Sequence, residues 1–103
     1  MKHEHNTVII KRPDEKVGHI EEIENTLKAM QRVVGGYIET VTLATDCAIV
    51  CNEEGRIYHL PANCSLIGID FVGTIVVVGV DGDDFTDCPL SLRTWKEWIR
   101  NVG

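Results

Sequence analysis

Four side chains in the middle of this chain, Cys47, Cys51, His59 and Cys64, are of the types that hold zinc. Their spacing argues against it. Cys47 and Cys51 sit four apart in a run that reads as a strand, on one face but about 13 Å apart at ~3.3 Å per residue. Ligands of one zinc lie only about 2.0–2.3 Å from the metal, and a disulfide needs Cα atoms about 4.4–6.8 Å apart. The cysteines read instead as small buried hydrophobes. A nucleophile pair of Cys51, Cys64 or Cys88 with His59 would need a depressed thiol pKa and an orienting third group. No nucleophile motif surrounds any of these cysteines. The acidic run Asp81, Asp83, Asp84 and Asp87 fails the calcium-loop template, because glycine falls at its second position and Leu92 at its twelfth. It reads as a solvated loop, and neither a metal nor a cofactor is expected.

Recognition is the better use of the remaining polar side chains. If Tyr37, Val41 and Leu43 face the core, period-two alternation puts Glu39 among them. A buried carboxylate is costly unless paired, so Glu39 needs Arg56, Arg32, a ligand or a partner subunit, or else the strand is reversed, with Ile38 inward and Glu39 in water. Tyr58 and His59 project to opposite faces of a predicted strand, and Asn63 follows Pro61 where it can close an Asx turn. Tyr37, Glu39, Tyr58, His59 and Asn63 are therefore the candidate contacts for a small polar ligand. Trp95 and Trp98, three apart with Arg100 alongside, either dock the last helix on the sheet or anchor a partner chain, where tryptophan is enriched.

The elements that must carry these residues follow from periodicity. Thr7–Lys11 is a β-branched run closed by Pro13, and Arg12–Gly18 is a polar loop. Ile20, Ile23, Leu27, Met30 and Val34 predict one amphipathic helix over about His19–Val34, with Glu21, Glu22 and Glu24 early and Lys28 and Arg32 late to suit the helix dipole. Gly35 or Gly36 ends it. Tyr37–Ala44, Cys47–Cys51 and Arg56–Leu60 predict an antiparallel meander, with the turn Asn52–Gly55 taking a positive φ at Gly55. Pro61–Phe71 reads as an irregular connection, and Thr74–Val80 as a strand buried on both faces. Ser91 caps a terminal helix whose apolar side is Leu92, Trp95, Trp98, Ile99 and Val102. The expected fold is α+β: a mostly antiparallel sheet of about five strands on one amphipathic helix, plus a C-terminal helix.

Composition agrees with a single compact domain over residues 1–103. A net charge of −6 disfavours direct binding to nucleic acid, which needs basic residues on phosphates. It also falls short of a DNA mimic, since duplex DNA carries about one charge per 1.7 Å of axis. No apolar run nears the ~20 residues of a membrane helix, and the first six residues lack an apolar signal core. A cytoplasmic chain with reduced thiols is expected. A core this small, with ample apolar surface, predicts a dimer or larger homo-oligomer.

Six short pieces recur together in a familiar order: Asn25-Thr26-Leu27, Val34 to Glu39, Asn52 to Gly55, Leu60-Pro61-Ala62-Asn63, Gly73-Thr74 and Asp84-Phe85. With them the chain resembles the domain-of-unknown-function family 3846, small proteins of bacteriophages and mobile elements in gut-type Firmicutes. The resemblance implies no known activity. It suggests an accessory protein that sequesters a small polar molecule, such as a host signalling nucleotide, in a counter-defence role, or that contacts a host protein. An acidic antirestriction mimic is the further alternative. No set of nucleophile, base and oxyanion hole can be assembled, so a non-catalytic binding module is expected.

Overall fold

The computed structural model describes residues 4–101. Its centre is strand β7 (Ile75–Asp81), in which residues 75–79 are all buried. This is the doubly covered strand that the unbroken Ile-Val-Val-Val run predicts. Beside it lie β1 (His5–Lys11) and β4 (Cys47–Asn52), both antiparallel to it. Outside these come β2 (His19–Glu24) and β3 (Ile38–Ala44). The path of the sheet is thus β2-β1-β7-β4-β3, and β8 (Asp84–Thr86) completes six strands by hairpin pairing with β7. A second sheet of three strands runs β6 (Ile69–Val72), β5 (Ala62–Leu66), β9 (Arg100–Asn101).

Side-chain alternation splits the core into two layers. Val8, Ile10, Ala48, Val50, Val76 and Val78 face helix α1 (Leu27–Val34), which contributes Met30 and Val34. Ile9, Cys47, Ile49, Cys51, Ile75 and Val77 face the other way, onto Cys64, Leu66 and Phe71 of the small sheet and Trp95 of helix α2 (Leu92–Trp98). Each fully buried Val or Ile contributes about 1.5–3 kcal/mol of transfer free energy. The main sheet is therefore the shared wall of both cores.

The α+β class and the antiparallel sheet hold, with more strands than expected. Four local readings change. The helix begins at Leu27, not His19, because residues 19–24 pair along β1 from His5↔Glu24 to Ile10↔His19. Ile20 and Ile23, three apart, imitated a helical stripe, but Ile23 is buried and Ile20 is 56% exposed, as opposite faces of a strand require. Thr26 is the true N-cap, accepting from Ala29 N at 3.1 Å, so the predicted acidic first turn does not exist. At the other end Gly35 takes φ 81° and gives its N–H to Gln31 O, as a helix-ending glycine does.

Arg56–Leu60 is not a strand. The free edge of β4 is taken by β7, so the chain winds back on itself through Tyr58 N to Glu54 O and Leu60 N to Gly55 O. The residue with positive φ there is His59, at 54°, not Gly55. Gly55 is needed for space: a Cβ would lie 2.9 Å from Val72 Cγ2. Pro61–Phe71 is ordered as β5 and most of β6, joined by a tight turn in which Ile67 and Gly68 both have positive φ. Finally, α2 begins at the Ser91 cap as predicted but stops at Trp98. Arg100 lies on β9, paired with Ser65, and Val102 falls outside the described residues.

Candidate functional site

Turn residues 52–56 connect β4 to the loop that crosses toward the small sheet, and this passage leaves a cleft between the two sheets. Asn52 sets its geometry. Its side chain is buried, donates from Nδ2 to Val34 O at 3.2 Å and accepts at Oδ1 from Glu54 N at 2.8 Å. One amide thus ties the end of α1 to the start of the turn. Gly36 makes room for it, since a Cβ there would meet Asn52 Nδ2 at 2.9 Å. The Gly35-Gly36 pair and the Asn52–Gly55 turn are therefore two halves of one joint.

The cleft has a volume of about 250 Å³. Val41 of β3 and Ile69, Phe71 and Val72 of β6 give it an apolar floor, while Glu39, Cys51, Glu53, Arg56 and Asp70 supply its polar walls. Glu39 does share a sheet face with Val41, as alternation predicts, but β3 is an edge strand and the carboxylate is exposed rather than buried. It accepts a long contact from Cys51 Sγ at 3.8 Å. Arg56 gives Nη2 to the Asp70 carbonyl at 2.8 Å instead of bridging to Glu39. Burial, and next the Glu39 charge, push the Cys51 thiol up to about 11, so it is a neutral donor at physiological pH.

The other predicted ligand residues separate. Tyr37 and Tyr58 come together across a shallow groove at the C-terminal end of α1, with Gln31, Asn52 and Glu54. His59 is exposed on the loop and lines neither the cleft nor this groove. Asn63 is buried, and its side chain is consumed: Nδ2 donates to the carbonyls of Lys11 and Gly73 at 2.8 and 2.7 Å, and Oδ1 accepts from Lys11 Nζ at 2.8 Å.

Lys11 is the residue that sequence reasoning missed. It is fully buried at the end of β1, and burial pulls its ammonium below the usual lysine range against the opposing pull of Cys64, Glu15 and Asp14. The available signal was its position two after Ile9, on the inward face.

The tryptophans also divide. Trp95 is fully buried and donates Nε1 to Val17 O at 2.8 Å, the docked alternative of the two considered. Trp98 is 43% exposed and shares a surface hollow with Ile67 and Arg100. Among the described residues, no three His, Cys, Asp or Glu side chains group as metal ligands, and the four cysteines are free thiols. No helix among the described residues is long and apolar enough to cross a membrane.

A family model described as Domain of unknown function (DUF3846) matches residues 5–100. The chain belongs to this family. No curated protein and no solved structure matches it. Several of the residues that carry the resemblance have architectural roles in this DUF3846 chain. Thr26 caps α1, Gly35 and Gly36 close it over Asn52, and Asn63 clamps Lys11 to Gly73. Glu39, from the same set, instead faces the cleft.

Proposed function

We propose that this chain is a non-catalytic binding module that seats a small polar molecule in the cleft between Glu39 and Arg56. One observation carries the reading: a carboxylate and a guanidinium line the same semi-enclosed hollow above an apolar floor, yet they do not neutralise each other. Such a site fits a ligand that offers a donor or cation to Glu39 and an acceptor to Arg56, with its apolar body on Val41 and Phe71. The raised Cys51 pKa supports binding over chemistry, because a neutral thiol is a poor nucleophile. Three carboxylates, Glu39, Glu53 and Asp70, against one arginine favour a zwitterion or a nucleobase edge over a polyphosphate. A host signalling nucleotide, and with it a counter-defence role, is one arm of the test.

Thermal-shift screening against amino acids, nucleobases, nucleosides and linear and cyclic nucleotides tests this directly. A ligand at a hundred-fold excess over its dissociation constant should stabilise by about 2.7 kcal/mol. Glu39→Gln and Arg56→Ala should each remove the shift. A screen without any stabilising compound, or a shift indifferent to both substitutions, argues against the site.

Self-association through α2 is a second reading, favoured by Trp98 and Ile67, which are 43% and 58% exposed in one hollow. Sedimentation that is concentration-dependent in the parent and monomeric in Trp98→Arg would support it. A monomer at every concentration would exclude it.

A further inference from the structure

We propose a second binding site, independent of the cleft: the groove between Tyr37 and Tyr58 receives a guanidinium group. The chain has only two tyrosines. They stand 66% and 64% exposed, and although far apart in sequence they line the same hollow. A tyrosine hydroxyl can reach water from a buried ring, so burial of both rings would have cost nothing in hydrogen bonding. Instead the end of α1 and the turn after β4 bring the two exposed rings to one hollow.

Charge selects the occupant. The groove contains no basic side chain, although the chain has ten Lys and Arg residues. Its one ionised group is Glu54, whose backbone N–H is held by Asn52 Oδ1, which fixes the residue at the rim. The C-terminal end of α1, the negative end of its dipole, opens on the same hollow through Gly35 and Gly36. Two exposed tyrosine rings, a carboxylate and a helix C-terminus favour a cation over a phosphate. Among cations, a guanidinium is planar, stacks on aromatic faces and pairs with a carboxylate through parallel N–H donors. The side-chain amide oxygen of Gln31 and the carboxylate of Glu54 are the acceptors available to it, since the Gln31 carbonyl already takes the N–H groups of Gly35 and Gly36. The source is either a free guanidino compound or the arginine of a peptide.

Backbone amide chemical shifts of the full chain test this during titration with three probes: ethylguanidinium, the peptide Gly-Arg-Gly and its neutral citrulline counterpart. Ethylguanidinium binding, with shifts centred on Gly36, Tyr37, Glu54 and Tyr58, would assign the groove to the free group. Binding by the arginine peptide alone would assign it to a peptide partner. In either case Tyr37→Ala and Tyr58→Ala should weaken binding at least about tenfold, as should Glu54→Gln. Both rings are exposed, so the variants should keep the parent spectrum away from the groove. Equal binding of the citrulline peptide, or shifts confined to the Glu39–Arg56 cleft, would overturn the assignment. Because the two sites have separate reporters, failure here leaves the cleft reading standing, and the converse also holds.

Discussion

The Asn63 side chain grips Lys11 at both ends: Oδ1 accepts from the Lys11 ammonium at 2.8 Å, and Nδ2 donates to the Lys11 carbonyl at 2.8 Å. A third bond, to Gly73 O, carries the grip to the residue just after β6, on the link to β7. Asn63 begins the buried part of β5, so this one amide fastens the small sheet to the main one. The cleft lies between those two sheets on the β3 side, and the clamp joins them on the β1 side.

Removing either partner should therefore have unequal effects. Asn63→Ala leaves a buried ammonium without its acceptor and should cost about 3–5 kcal/mol, whereas Lys11→Met leaves only the neutral Asn63 Oδ1 unpaired and should cost less, about 1–3 kcal/mol. Urea unfolding of both variants and the double mutant checks this. The parent should also gain stability as pH rises from the depressed Lys11 pKa toward 10.5, because the unfolded chain then holds more protons. Lys11→Met should lose that gain.

Gly79 lies where the β8 strand leaves β7. A Cβ there would sit 2.1 Å from Asp87 O and 2.3 Å from Thr86 Oγ1, the first a backbone atom that cannot swing aside. Gly79→Ala should cost about 1–3 kcal/mol or more, as overpacking does. Thermal unfolding reads the loss, and an unchanged midpoint would contradict this close approach.

His19 contacts Glu15 at 2.8 Å and Glu21 at 3.0 Å. Those two bonds hold the His19 pKa above 6.5, while the Arg12 N–H and His19 hold Glu15 below 4.5 despite some burial. The His19 contribution is complete below 6.5 and fades as pH rises through its raised folded value; the Glu15 contribution is complete above 4.5 and fades on acidification. A modest stability maximum should lie between, and His19→Ala should flatten its alkaline side. Urea midpoints across that range measure it.

Among the thiols, Cys88 should react first. It is partly exposed, and the neighbouring Cys47 thiol lowers its pKa, whereas burial raises those of Cys51 and Cys64 and the neighbouring Cys88 raises that of Cys47. Brief maleimide labelling of the native protein followed by peptide mapping should modify Cys88 alone. Equal labelling of Cys51 would contradict the burial of β4.

Much of the frame was legible because its signals are local. The Ile75–Val80 run announces a strand covered on both faces, Ser91 caps α2, and Gly35 ends α1. The misreadings share a cause, which is that partners distant in sequence decided the outcome. Ile20 and Ile23 fit a helix until β1 offers its edge. Arg56–Leu60 fits a strand until β7 takes the place beside β4. The Ile67-Gly68 turn is masked because a β-branched residue rarely adopts positive φ. For the candidate site, alternation correctly put Glu39 on the face of Val41, but only the edge position of β3 exposes it. Tyr37 and Tyr58 line one hollow, apart from Glu39, while Asn63 and Trp95 are committed to the architecture.

The most direct check on recognition at the cleft is calorimetric titration of the best-stabilising small molecule into the parent, Glu39→Gln and Arg56→Ala proteins, with the ligand recovered afterwards and weighed by mass spectrometry. A single site per chain, weakened at least about tenfold by either substitution, with the ligand returned chemically unchanged, is the predicted result. Undiminished affinity in both variants, or recovery of a converted product, would contradict it.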